Sequence, residues 1–158
     1  MWIQLRSMKP ALVMNFNFKD RADAGRQIVN TFRTEVSSFD LLIVVLPAAA
    51  EIALAFATET QTPMRDLVIG RSVTGVVIPR LTNVSGLNVA VIDDGVETGT
   101  TAVAIGAMLR AESVSSATLI VPVCPQLVVP NLLAVYDTVH TVVSPLEPES
   151  LRQHYEIN

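Results

Sequence analysis

The chain has 158 residues, half of them hydrophobic and only 16% charged, with a formal net charge of −4. That length fits a single domain spanning 1–158, and the apolar content is enough to fill a sizeable core and leave apolar surface for a second copy. An acidic balance without a basic run excludes the electrostatic footprint of a nucleic-acid binder.

Met1 to Pro10 contains basic residues but lacks the apolar stretch and cleavage pattern of a secretory signal. The apolar runs elsewhere are short and interrupted, so no membrane span is expected and the location expected is the cytoplasm. A first strand is predicted near 11–16 and a helix near 20–35, where Asp20 can cap and Arg21 can pair locally. Leu41-Leu-Ile-Val-Val-Leu46 reads as a strand buried on both faces, followed by a helix near 48–59. Strands are predicted near 65–69 and 74–78, and Ser85-Gly86 marks a turn. Next come a strand at 88–92 and a helix at 100–112. A strand at 117–123, a helix at 126–134, a strand at 138–143 and a helix at 147–156 complete the order. This alternation implies an α/β fold, with a mostly parallel twisted sheet covered by helices on both faces. Cys124 is the only cysteine, which excludes an internal disulfide; an apolar strand end between prolines suits it to packing. His140 and His154 have no neighbours spaced for a zinc site.

Residues 89–101, Val-Ala-Val-Ile-Asp-Asp-Gly-Val-Glu-Thr-Gly-Thr-Thr, carry the chemistry. An apolar strand delivers two carboxylates into a small-residue loop that opens a helix. Thr98, Gly99, Thr100 and Thr101 would present unpaired N–H groups and hydroxyls at a helix N-terminus, which favours a phosphate dianion. Gly99 lets the backbone come close to the oxygens. Asp93 and Asp94 repel phosphate, yet they can accept hydrogen bonds from vicinal hydroxyls or hold hydrated Mg²⁺. Phosphate at one end and hydroxyls at the other describe a ribose 5-phosphate. The bland alternative is that Asp93 and Asp94 end a strand and the threonines cap a helix.

The same run resembles the phosphoribosyl pyrophosphate (PRPP) signature of type I phosphoribosyltransferases, in which two acidic residues precede a Thr-Gly-x-Thr loop. Four further segments extend the likeness over most of the chain, towards a little-characterised bacterial branch of that family. They are Phe18-Lys-Asp-Arg-Ala-Asp-Ala-Gly-Arg26, Leu46-Pro-Ala-Ala-Ala50, Val121-Pro-Val-Cys-Pro125 and Tyr136-Asp137. The resemblance implies the type I phosphoribosyltransferase fold with a reduced hood. It implies PRPP and phosphate contacts from Asp93, Asp94, Gly95, Val96, Thr98, Gly99, Thr100 and Thr101, with Mg²⁺ held by Asp93 and Asp94 indirectly, through ribose hydroxyls or water. The ligand would be PRPP or another ribose 5-phosphate compound, and the assembly a homodimer. Glu97 occupies the position where hypoxanthine-type members carry an aspartate proposed to bond the base. It is therefore the candidate catalytic acid or base, the alternative being a solvated loop residue.

Two departures from the family pattern bear on activity. Pro47, Ala48, Ala49 and Ala50 stand where the related branch has a Pro-Arg-Gly-Gly pyrophosphate loop. This degenerate loop carries no charge, and a left-handed residue there would cost alanine about 1–2 kcal/mol. The alanines can equally start a helix. Residues 60–87 leave little room for a mobile hood, and Arg65, Arg71 and Arg80 in that stretch are each able to reach a phosphate or to stay solvated. Trp2 and Tyr155 are candidates to cover a nucleobase. Two functions follow: phosphoribosyl transfer to a nitrogen nucleophile, or a non-catalytic module sensing PRPP or a nucleoside monophosphate.

Overall fold

The computed structural model describes residues 16–157. Its first helices are α1 (Arg21–Thr31) and α2 (Arg33–Val36), followed by β1 (Leu41–Leu46), α3 (Ala50–Glu59) and β2 (Met64–Val68). A hairpin follows, β3 (Gly70–Ser72) and β4 (Gly75–Val77), then β5 (Asn88–Ile92) and α4 (Thr100–Ala111). After β6 (Ser116–Val123) come a 3-10 turn at Gln126–Val128, α5 (Val129–Leu133) and β7 (Thr138–Val143), and a second 3-10 turn at Leu151–His154. The strand expected at 11–16 and the residue Trp2 lie outside the described residues, save Phe16 at the strand's end.

The main sheet has five strands in the order β2-β1-β5-β6-β7, and every neighbouring pair is parallel. Strands buried on both faces need apolar side chains in both directions, which explains the unbroken runs Leu41–Val45 and Val89–Ile92. Alternate residues divide between two cores. Leu42, Val44, Ala90 and Ile92 meet Ile28 of α1 and Ile52 and Phe56 of α3 on one face. Ile43, Val45, Val89 and Val91 meet Ile105 and Leu109 of α4 and Leu132 of α5 on the other. The α/β class and the two covered faces are as expected from the sequence.

Helix α1 begins at its predicted cap, since Asp20 Oδ1 accepts the Asp23 N–H at 2.8 Å. Its close approach to α3 depends on Gly25: a Cβ there would lie 2.8 Å from the Ile52 carbonyl oxygen and 3.1 Å from the Ala55 Cβ. Gly25→Ala gains about 1 kcal/mol of helix propensity. It must also push two helices apart in a close-packed core, at a cost of about 1–3 kcal/mol. The expected outcome is a net loss on the order of 1 kcal/mol in urea denaturation. An unchanged or higher midpoint would show that the helices separate freely.

Three expected elements differ. The helix at 147–156 is only the turn Leu151–His154, because Pro145 and Pro148 remove donors and Ser150 stays extended. The helix at 126–134 is a 3-10 turn leading into α5, which has Pro130 in its first turn. The strand expected at 74–78 is β4, and it pairs antiparallel with β3, which was not predicted, in a hairpin turning at Gly75 with φ +127°.

Candidate functional site

The chain passes from β1 outward to β2 and then returns to place β5 on the other side of β1. Loops leaving the carboxyl ends of β1 and β5 therefore diverge, and an open parallel sheet forms its ligand crevice at such a switch. A cleft of about 580 Å³ lies there. Its walls are the loop after β1, the loop from Asp93 to Thr101, hairpin residues Arg71 and Val76, and Leu151 from the C-terminal turn.

The loop after β5 forms one wall of the cleft and leads into α4. Gly99, at φ +87°, caps α4, and a Cβ on it would lie 2.6 Å from a Val128 methyl group. Among the described residues, the N–H groups of Glu97, Thr98, Gly99, Thr100 and Thr101 donate no hydrogen bond, so five consecutive donors are left free at the start of a 12-residue helix. Thr98 and Thr100 hydroxyls lie 3.2 Å apart. Val96 plays a different part: its side chain is in the core and its N–H donates to the Val123 carbonyl at 2.8 Å. Gly95, at φ +146°, passes directly under Leu151, whose methyl would lie 2.5 Å from an added Cβ.

The two adjacent carboxylates have different surroundings. Asp93 is half-buried and lines the cleft, and it accepts the Asp94 N–H at 2.8 Å. Burial, reinforced by the neighbouring Asp94 charge, holds its carboxyl well above the usual carboxylate range. Asp94 is 8% exposed, and its Oδ2 receives Arg21 Nε at 3.2 Å and Nη2 at 3.0 Å. Arg21 thus pairs 73 positions along the chain rather than locally. The guanidinium also lies 4.9 Å from the Tyr155 ring centroid, and the Tyr155 hydroxyl donates to the Asp94 carbonyl at 2.8 Å. Tyr155 is therefore a buried prop behind the loop, not a cover over the cleft. Leu151 is the residue of that segment that reaches the opening.

Glu97 is exposed, and its Oε1 accepts the Leu151 N–H at 2.9 Å. The Pro47–Ala50 loop lies opposite. None of the three alanines has a positive φ, so the left-handed penalty considered from sequence does not arise. Ala49 sits at φ −95° as the residue before α3. Its N–H donates to Val45 O at 2.8 Å, and the Ala50 N–H donates to Pro47 O at 3.3 Å, while the Ala48 N–H makes no hydrogen bond among the described residues and Ala48 lines the cleft.

Away from the cleft, Cys124 is buried and its thiol is pushed up to about 11 by burial, in keeping with a packing role. Among the described residues no three His, Cys, Asp or Glu side chains are grouped to hold a metal, and no helix is long and apolar enough to cross a membrane.

No family model matches this chain, and no curated protein matches it in sequence. Solved structures do. The protein TT1426 from Thermus thermophilus is similar over 90% of this chain and 91% of its own, with a TM-score of 0.73 and 15% identity. A purine phosphoribosyltransferase from Pyrococcus horikoshii is similar over 80% of this chain and 88% of its own, at TM-score 0.57 and 16% identity. A hypoxanthine phosphoribosyltransferase from Staphylococcus aureus is similar over 86% and 79% respectively, at TM-score 0.60 and 15% identity. Strand order, the cleft at the β1–β5 switch and these likenesses together give the chain the fold of the type I phosphoribosyltransferases.

Proposed function

We propose that the cleft binds the ribose 5-phosphate part of PRPP and that the chain transfers the phosphoribosyl group to a nitrogen nucleophile. The observation that carries this reading is the set of five N–H groups at Glu97–Thr101 that donate no hydrogen bond among the described residues, beside a half-buried acid, Asp93, in one cleft. The amides and the Thr98, Thr100 and Thr101 hydroxyls hold the 5-phosphate. Asp93 takes the ribose hydroxyls, while the two hydrogen bonds from Arg21 hold the Asp94 carboxylate in place beside it. Glu97 keeps its second carboxylate oxygen available to accept the proton of the nucleophile. The new C1–N bond forms as the C1–O bond to pyrophosphate breaks, and the pyrophosphate departs with that bonding pair.

A hydrated Mg²⁺ suits the Asp93–Asp94 pair. Such an ion keeps several waters and needs only one or two carboxylates, and Asp93 has no cationic partner among the described residues. When bound it would offset the charge of the leaving pyrophosphate. A homodimer belongs to the same proposal, supported by the exposed side chains Met64, Val68, Val73 and Val77 on β2 and the hairpin.

One observation favours a second reading. With the Ala49 and Ala50 amides engaged internally, the loop after β1 offers one donor to a pyrophosphate, as suits a module that binds a nucleoside monophosphate without turnover. Calorimetric titration with PRPP, with and without Mg²⁺, and with AMP for comparison separates the two. Mg²⁺-dependent PRPP binding tighter than AMP binding is the expected outcome. Equal or tighter AMP binding would favour the module, and no binding of either would overturn both.

A further inference from the structure

The segment from Glu149 to Ile157 runs behind the loop after β5 and holds it at three points. The Leu151 N–H donates to Glu97 Oε1 at 2.9 Å, the Leu151 side chain packs against Gly95, and the Tyr155 hydroxyl donates to the Asp94 carbonyl at 2.8 Å. The other side of this strap is fastened to the residues before α1. The Phe18 N–H donates to His154 O, and the Glu156 and Ile157 N–H groups donate to Phe18 O and Lys19 O, each at 2.9 Å. Buried in that second seam, and without a part in the proposed reaction, is the His154 side chain, in a residue only 5% exposed.

The two ring nitrogens of His154 face two oxygens. Nδ1 lies 2.6 Å from Asn17 Oδ1. Nε2 lies 3.1 Å from Glu149 Oε2 but without the alignment of a hydrogen bond, and it is a buried polar atom with no hydrogen-bond partner among the described residues. A neutral imidazole carries one N–H, so with Asn17 presenting its amide oxygen one ring nitrogen must turn a lone pair towards an oxygen; the imidazolium offers a proton to each. The other groups around the ring do not compete for that charge. Asn17 is uncharged, as is Gln27 of α1, which donates to Asn17 O. Asp23 of α1 pairs with Arg26 and accepts from Gln27 and the Lys19 N–H. Arg152 and Glu156, on the strap itself, are exposed. Glu149 is the carboxylate that pairs with the ring among the described residues.

We propose that His154 is a positioning residue that makes the cleft respond to pH: its protonated ring joins Asn17 across the seam and Glu149 along the strap, bracketing Leu151, so that the strap holds Gly95 and Glu97 in the arrangement that binds a phosphate ester. Loss of the proton sets a lone pair against an oxygen, loosens the strap and lowers affinity. Histidine is the side chain whose charge changes between about pH 5 and 8, so modest changes of pH work the device. Its consequence for a ligand rests on the ribose 5-phosphate reading, whereas its consequence for the strap does not.

The test follows the ligand-free full chain by NMR from about pH 5 to 8, reading the ring protons of His154 and the methyl groups of Leu151. The Leu151 methyl shifts are expected to move with the same midpoint as the ring and to lose that step in His154→Gln. In Glu149→Gln, a change at an exposed residue, they should keep less than about half of it. Calorimetry with ribose 5-phosphate at about pH 6 and about pH 8 gives a second reading. The ratio of the two affinities should be about threefold larger in the parent than in His154→Gln, the scale of a partly exposed ion pair. Titration of the ligand phosphate and of Asp93 is common to both proteins and cancels in that comparison. Leu151 methyls that ignore the ring's titration, a step of equal size in the parent and Glu149→Gln, or an affinity ratio unchanged by His154→Gln overturns the device. Failure of ribose 5-phosphate to bind overturns the ribose reading alone, and the methyl shifts still decide the role of His154.

Discussion

Asp93→Asn is expected to stabilise the empty protein at pH 8 while removing its binding of ribose phosphates. The half-buried Asp93 carboxyl has a folded-state pKa well above its unfolded value, chiefly through desolvation and then through the Asp94 charge. A group shifted upward stabilises the fold below its unfolded pKa, and that contribution is lost as pH rises towards the folded one. Asparagine resembles the protonated acid and can still accept the Asp94 N–H through its amide oxygen. It therefore escapes the cost of ionising a desolvated carboxyl. The variant and its parent should show similar denaturation midpoints near pH 4, the ordinary range of an unfolded aspartate. The variant should then gain on the order of 1 kcal/mol as pH rises, a gain typical of relieving a strained functional position. Urea denaturation at several pH values, with ribose 5-phosphate titration alongside, checks both halves. A variant that is equally destabilised at pH 4 and pH 8 would mean that Asp93 is a structural acid.

Arg21→Met should cost more stability than any other single surface change near the cleft. The guanidinium makes two hydrogen bonds to Asp94 Oδ2 and lies over Tyr155, so methionine keeps some apolar cover and loses the charge. Asp94 is then left nearly buried and unpaired. Breaking a fully buried pair costs about 3–5 kcal/mol, whereas exposed pairs are worth about 0–1 kcal/mol. Arg21 retains 26% side-chain exposure, so an intermediate loss of about 2–3 kcal/mol is expected. The double change Arg21→Met with Asp94→Asn removes both charges and should recover part of that loss. If the double variant is as unstable as Arg21→Met alone, apolar packing of the arginine, not its charge, accounts for the effect.

The local part of the site was legible in sequence because its residues are contiguous. An apolar strand, two acids and a Thr-Gly-Thr-Thr turn occupy one short run, and α4 begins at Thr100 as its propensities indicate. The central strands were equally legible, since burial on both faces demands the apolar runs of β1 and β5. Contacts across the chain were not. Nothing adjacent to Arg21 signals that it meets Asp94, because the meeting depends on α1 lying over the carboxyl end of β5. The hairpin was only half legible: β3 is Gly-Arg-Ser, three residues without the apolar alternation that announces a strand. At Ala48–Ala50 the composition fitted both a phosphate loop and a helix start, and in the structure α3 begins at Ala50 while Ala48 lines the cleft. The terminal helix was over-read because its charged residues favour helix while two prolines interrupt the turns they would join.

The bond between the Glu97 side chain and the Leu151 amide gives the cleft a built-in reporter. That amide belongs to a short turn with no strand ladder of its own, so its exchange with deuterated water is slowed chiefly by the loop that carries Glu97. Protection at this single backbone position, compared with the neighbouring Phe18 and Glu156 amides that bond across to the C-terminal turn and to Phe18 itself, reads the loop's position without a label or a chromophore.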